Sequence, residues 1–470
     1  MKIVSFKICL FLAVAILLYS CSVGKEYARP NLDIPPDYKN TPAVTGDSIL
    51  LPWKTFFRDP KLVALIGGAL QKNKDVSIAL LNVEQVELNY KQARLGLIPK
   101  LDLVVGASRT FPSKNSLNGS LNEQFTGQRY LDDFNASLSL SWEADIWGKV
   151  KMQKAGAKAD YFQQKENLAA LKTRIIAQVA QSYNNLITLD EQLKVALRNA
   201  ALGDSTLKMI HLQFRAAQVN SLAVDQAEAQ KKTAELLVPL TRQNIEVQEN
   251  ALSILCGTFP NEIQRAESKV LLMESGLFPT GVPANLLSRR PDVKAAEFAV
   301  ISANAKAGLS KAAMYPALSL TPSLGANAFR FTKWFDLPGS LAKSFAGNIT
   351  QPIFRKNELK TAYELAKLDQ QKAAETFRLS VMTAVGEVSD ALAKAKYSDE
   401  RSKLVSEKRA ALDKASRDAM LLFKNGMATY LEVIIAQNNS LQNELEQTEI
   451  HRDQFNAVID LYRSLGGGAE

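Results

Sequence analysis

From residue 133 to residue 146 the chain alternates without a break. Phe134, Ala136, Leu138, Leu140, Trp142, Ala144 and Ile146 stand against Asp133, Asn135, Ser137, Ser139, Ser141, Glu143 and Asp145. A period of two puts the apolar set on one face of a strand and the polar set on the other. Leu318, Leu320, Leu324, Ala326 and Ala328 repeat the pattern against Ser319, Thr321, Ser323, Gly325 and Asn327, and stretches 100–111 and 345–354 give two weaker strands. After each strand pair the period changes. Residues 149–217 hold no proline and only Gly156 and Gly203, and Leu168, Leu171, Ile175, Val179, Leu186, Leu189, Leu193 and Leu197 mostly follow three- and four-residue spacing. That predicts one continuous helix, which at 1.5 Å per residue reaches about 100 Å. Residues 358–425 predict a second, and Pro239 is expected to kink the helix that returns from the first.

The two halves resemble each other at an offset of about 210 residues. Pro99 matches Pro316, and Phe214-Arg215-Ala216-Ala217-Gln218-Val219-Asn220 matches Phe423-Lys424-Asn425-Gly426-Met427-Ala428-Thr429. Each half runs helix, strand, loop, strand, very long helix, turn, helix. A soluble sheet with one wet face would show the same alternation. Here, however, there are only four strands, in pairs far apart, each long enough to cross a bilayer when tilted, which takes roughly 9–11 residues.

Composition narrows the classes. The 470 residues are 46% hydrophobic and 22% charged, a mix for a chain with an interior to fill. The formal charge of +9 is scattered along helical stretches among Glu and Asp, not gathered into basic clusters with aromatics, so no nucleic-acid partner is indicated. Lys2 and Lys7 precede an apolar run from Ile8 to Leu18 that is too short to span a bilayer, and Leu18-Tyr19-Ser20-Cys21 follows. This resembles a bacterial lipoprotein signal, with Cys21 as the acylated first residue of the mature chain; the alternative is ordinary signal cleavage beside an accidental cysteine. Cys256 is then alone, so no internal disulfide is expected. His211 and His451 lie far apart, so no histidine-based metal site, and no cofactor, is expected. There is no Walker loop, G-x-S-x-G or H-E-x-x-H, which argues against an enzyme.

Several blocks carry a family likeness. They are Val23-Gly24-Lys25-Glu26-Tyr27 with Pro30; Trp53, Phe56-Phe57 and Asp59-Pro60; LSLSWEADIWG at 138–148; Leu286-Leu287-Ser288-Arg289-Arg290-Pro291-Asp292-Val293 with Ala296-Glu297; Gln351-Pro352-Ile353-Phe354; and Leu461-Tyr462 with Leu465-Gly466-Gly467-Gly468. In this order they resemble the TolC-like outer-membrane efflux proteins, in their lipoprotein branch, over nearly the whole mature chain. Lys25 stands where proline is common, Asn357 where glycine is usual and Ala469 where tryptophan is usual. The resemblance implies a mainly α fold with β: a trimeric outer-membrane β-barrel, four strands per chain, continued by a long periplasmic α-helical barrel. It implies a signal peptide at 1–20, a lipid-anchored strap at 21–60, a first repeat at 61–256, an equatorial connector at 257–290, a second repeat at 291–465 and a tail at 466–470. Within the repeats, shorter helices are expected near 75–98 and 292–315, and return helices at 219–256 and 429–465. The implied function is a passive exit duct. Its partners would be two further copies of the chain, a periplasmic adaptor, an inner-membrane efflux transporter and outer-membrane lipid. A periplasmic lipoprotein adaptor or structural coiled-coil protein is the alternative, but an adaptor has a single hairpin without this duplication.

Candidate sites follow from position. The helix tips are placed at 217–220 and 426–429, with Gly426, Thr429 and Asn220 as turn residues. Glu432 reads as half of a capping box with Thr429. It also matches a place where the family carries acids that ring the closed aperture, with Asp225 and Glu228 as weaker candidates. Glu143 and Asp145 read as a wet lumen wall. Pro291 and Asp292 suit the first turn of a helix. Trp142, Trp147, Trp334 and Phe335 are candidates for an aromatic girdle, with ordinary packing as the alternative for Trp147.

Overall fold

The structure is a computed structural model and describes residues 23–39, 52–266 and 283–468. Cys21 lies outside the described residues. The helices are α1 (Trp53–Phe56), α2 (Pro60–Lys72), α3 (Lys74–Arg94), α4 (Leu117–Thr126), α5 (Lys149–Arg215), α6 (Ser221–Leu255), α7 (Leu286–Arg289), α8 (Pro291–Ala312), α9 (Glu358–Lys424) and α10 (Tyr430–Ser464). The strands are β1 (Lys100–Thr110), β2 (Leu131–Glu143), β3 (Ala317–Leu320), β4 (Ser323–Ala328), β5 (Leu341–Ser344) and β6 (Gly347–Thr350). α5 and α9 have 67 residues each, and α6 and α10 have 35 each. Such equal lengths bear out the internal duplication. Pro239 lies inside α6 without ending it.

The chain forms two compact units, each assembled from pieces of both repeats. The first holds the chain up to Pro30, Glu84–Phe162 and Glu297–Glu375, and it contains the sheet. β1 pairs β2 from Lys100 opposite Ser141 to Thr110 opposite Leu131. β2 pairs β4 from Phe134 opposite Ala328 to Ser139 opposite Ser323, and in the same register pairs β3 at Trp142 opposite Leu320. The interruption falls at Pro322, which has no N–H for a ladder. Across it the Leu140 N–H still donates to the Pro322 carbonyl at 2.9 Å, and Thr321 N–H to Ala346 O at 2.8 Å. β5 and β6 likewise share one register on β4 and β3. Physically there are four antiparallel strands, as the alternation predicts.

Boundaries differ from those expected. The second strand stops at Glu143, not Ile146, and the last spans Leu341 to Thr350 where 345–354 was expected. The cause at the latter's end is Pro352 just beyond Thr350. α4 was not foreseen; Ser116 caps it by accepting from Gly119 N–H at 3.1 Å.

Directly opposed residues share a face. Leu101, Leu103 and Val105 therefore lie with Leu140, Leu138 and Ala136, and Leu138 with Leu324. This apolar face is uncovered: Leu103 is 68% exposed. The other face carries Asp133, Asn135, Ser137, Ser139, Ser323 and Asn327. β1 ends the sheet on one side and β5 with β6 on the other, so among the described residues both edges lack a partner strand.

The second unit holds Asn31–Val83, Gln163–Ala296 and Thr376–Glu470. Its core sets Phe56, Phe57, Leu62 and Ile66 against Ile175, Val179, Tyr183 and Leu186 of α5, Leu252 of α6, and Ile459 and Tyr462 of α10. Phe56 stacks on Tyr462 with centroids 3.9 Å apart. α5 passes unbroken through Gly203, where a Cβ would meet the Lys231 Cα of α6 at 3.2 Å. Glycine there serves the close approach of the two helices, and Asp204 beside it pairs with Lys208 and Lys231, both at 2.7 Å.

The two hairpin tips share one geometry. Gln218 N–H donates to Gln213 O, and Met427 N–H to Leu422 O, each at 2.9 Å. The left-handed residue is Gly426 at φ 70° in one and Ala217 at φ 56° in the other. A Cβ in that region costs about 1 kcal/mol, a cost glycine avoids. Ala217→Gly is therefore expected to slow hydrogen exchange of the Gln218 amide about fivefold, by roughly that energy. Unchanged or faster exchange would count against a strained tip.

Candidate functional site

The tips are held by a small core of Ile210, Ala223, Ala227, Phe423, Tyr430 and Val433, packed from all four long and return helices. Gln230 of α6 donates from its amide to Asn438 of α10 at 2.5 Å. Asn220 caps α6, its side-chain oxygen accepting from Ala223 N–H at 3.2 Å. Thr429 is different from the expected capping box. Its hydroxyl accepts nothing from the helix and instead donates to the Glu432 carboxylate. That hydrogen bond holds the Glu432 carboxyl below the usual glutamate range, so it is ionised at neutral pH. Buried Ala223, Ala227 and Val433 turn one side of the return helices inward, while Glu432, Asp225 and Glu228 stay exposed to solvent. Ile435 is half exposed beside them. No group of three or more metal-ligating side chains occurs among the described residues.

A second cluster, missed by the sequence, lies near the start of the strap. Tyr27 donates its hydroxyl to Glu297 of α8 at 3.0 Å, and Arg29 grips the same carboxylate with two N–H groups at 2.7 and 2.8 Å. Asn304 donates to the Lys25 carbonyl at 3.0 Å, and Val23 N–H donates to Trp147 O at 3.3 Å. Burial and the Glu297 carboxylate push the Tyr27 hydroxyl well above its ordinary range. Trp147 itself gives its indole N–H to Pro316 O at 2.7 Å and packs on Tyr315, which is the packing role. The residue two positions after Cys21 is thus fixed beside the junction of strand β2 and helix α5.

Of the two acidic residues read as a polar wall, Glu143 stays on the polar face of β2 and Asp145 changes role. Glu143 pairs with Lys149 at 2.9 Å. Asp145, past the end of the strand, accepts from Val150 N–H at 2.9 Å and Lys151 N–H at 3.0 Å, satisfying free donors of the first turn of α5. It caps a helix; it is not part of a strand wall.

Arg290 is 4% exposed in the second unit. Its guanidinium binds Asp292 through two N–H groups, reaches Ser464 O at 3.2 Å and pairs with Glu387 at 2.7 Å. The start of α8, the middle of α9 and the end of α10 meet there, the structural role expected of this motif. Asn357, where the family has glycine, takes φ 63°, a left-handed conformation that asparagine tolerates better than most residues.

An amphipathic four-stranded sheet with an uncovered apolar face, joined to paired 67-residue helices, defines an outer-membrane channel wall. No helix among the described residues is long and apolar enough to cross a membrane. Residues 65–258 and 282–467 match the family of outer membrane efflux proteins, and the chain belongs to that family. It is 29% identical over 468 residues to the solvent efflux pump outer membrane protein SrpC of Pseudomonas putida, covering 96% of each chain. It is 28% identical to the probable outer membrane lipoprotein SilC of Salmonella typhimurium, again covering 96% of each. The structure superposes on the open-state MtrE outer membrane channel of Neisseria gonorrhoeae with a TM-score of 0.83 and 27% identity, over 96% of this chain and 99% of that one. The protein is accordingly an outer-membrane channel subunit with a periplasmic extension.

Proposed function

We propose that three copies form a passive exit duct, fed by an inner-membrane efflux transporter through a periplasmic adaptor, and that the chain itself catalyses no reaction. The observation that carries this is the sheet: four strands, an exposed apolar face, a polar opposite face and two unpaired edges. Unpaired edges are not tolerated in hydrocarbon, and three copies supply twelve strands to close them. The Ser, Asn and Asp side chains of the polar face then line the water-filled interior.

Cys21 is the acylated residue in this reading. Docking of Val23 on Trp147 at the foot of the sheet supports it, because the chain just after Cys21 is then at the height of the inner-leaflet headgroups. Acyl chains add affinity to a protein the barrel already holds. The mass of the mature N-terminal peptide should show Cys21 carrying acyl chains; an unmodified Cys21, or a different first residue, would contradict this.

Glu432, Asp225 and Glu228 are proposed to face the periplasmic aperture. Threefold symmetry would set three Glu432 carboxylates around the axis, where a multivalent cation is held between like charges. In each chain the Thr429 hydroxyl lowers the Glu432 carboxyl pKa, while the two other carboxylates of a ring act in the opposite direction. Single-channel recording on purified trimers should show block by trivalent cations from the periplasmic side. Glu432→Ala should abolish the block. Thr429→Val, which removes the hydroxyl donor, should move its loss to higher pH. Unchanged block in Glu432→Ala trimers would leave Glu432 as a helix cap alone.

A further inference from the structure

Among the described residues, the apolar face of the sheet contains one cation with no partner, Lys343. Lys343 of β5 lies directly opposite Leu324, and Leu324 opposite Leu138, so its side chain is on the uncovered apolar face. No hydrogen bond or ion pair within the described chain engages it. A lysine facing lipid at mid-bilayer is costly, whereas near an interface it is nearly free.

Its height decides between these. Lys343 is two residues in from Leu341, the first residue of the strand, and therefore about 7 Å along it from the hairpin end. With a barrel strand tilted about 40°, that is about 5 Å below the rim. Four methylenes let the ammonium snorkel over such a distance. The rim there is aromatic. Trp334 donates its indole N–H to Ala326 O at 3.3 Å and stacks on Phe335 at 4.9 Å, and Phe134 of the apolar face meets Phe331 at 5.5 Å. Arg330, at the same end, leans on the Phe329 ring and has no acidic partner among the described residues. This hairpin closes the sheet at the end opposite the junction with α5, the outer-leaflet side.

Strand β1 of a neighbouring copy does not supply the missing anion. In the closed barrel the β5–β6 edge meets β1 of the next chain, whose residues on this face are Leu101, Leu103, Val105, Ala107 and Arg109. The one acid on β1, Asp102, is on the other face. Asp132 is already held by Arg109 at 2.6 Å. We infer that Lys343, supported by Arg330 and the aromatic rim, binds the phosphorylated headgroup of an outer-leaflet lipid. The inference rests on the reading of the sheet as a lipid-facing barrel wall.

The test is binding of diphosphoryl lipid A, and of its dephosphorylated form, to delipidated wild-type, Lys343→Gln and Lys343→Arg trimers by native mass spectrometry. Diphosphoryl lipid A should bind Lys343→Gln about fivefold more weakly, the worth of one lysine near an anionic surface, and Lys343→Arg close to wild type. The dephosphorylated lipid should not distinguish the three, and inorganic phosphate should not compete. Equal binding of diphosphoryl lipid A to wild type and Lys343→Gln would overturn the inference while leaving the barrel intact. So would loss of the Lys343→Gln trimer in lipid-free detergent, because the lysine would then hold a protein partner. A wild-type chain that is monomeric would instead overturn the barrel reading beneath it.

Discussion

Backbone N–H and C=O groups at a sheet edge have no water to turn to inside hydrocarbon, and each one left unpaired there costs several kcal/mol. This chain has two such edges, β1 and the β5–β6 strand, and an apolar face with nothing over it. The sheet is therefore incomplete as a single chain in lipid, and closure by further copies is what makes it a wall. Closed assembly of several copies, a polar interior and a membrane-facing exterior all follow from pairing those edges.

Duplication gives the closure its economy. Each repeat brings two strands and a helical hairpin of 67 and 35 residues, so each copy contributes the same architecture twice. Helices this long draw little stability from propensity alone and need packed neighbours along their length. In the second unit those neighbours are the aromatic cluster around Phe56 and Tyr462 and the charged latch of Arg290 with Asp292 and Glu387. Where the two hairpins end, a compact core around Ile210 and Tyr430 holds the turns side by side.

Much of this was legible because it is periodic. Alternation marked the two inner strands clearly and the two edge strands weakly, and long runs free of proline marked α5 and α9. The features that were not legible depend on single residues or on distance along the chain. Ala217 adopts the left-handed turn that Gly426 advertises, yet alanine gives no sign of it. Asp145 continues the alternation by residue type, but the strand ends at Glu143 and the carboxylate serves the helix instead. Thr429 and Glu432 have capping-box spacing, and only coordinates show that the hydroxyl donates to the carboxylate. Tyr27 and Glu297 are 270 residues apart, beyond any local pattern. Lys343 falls in a weak strand whose expected start, residue 345, excluded it, so its place on the apolar face was hidden.

Edge pairing between copies is best tested by disulfide trapping. Leu103 on β1 would be changed to cysteine together with, in turn, Leu341, Phe345, Gly347 or Ile349 on the opposite edge. At least one pair should yield dimers and trimers on a non-reducing gel of outer membranes, with nothing larger. Cross-links confined to single chains, or an open ladder of higher oligomers, would contradict a barrel closed by three copies.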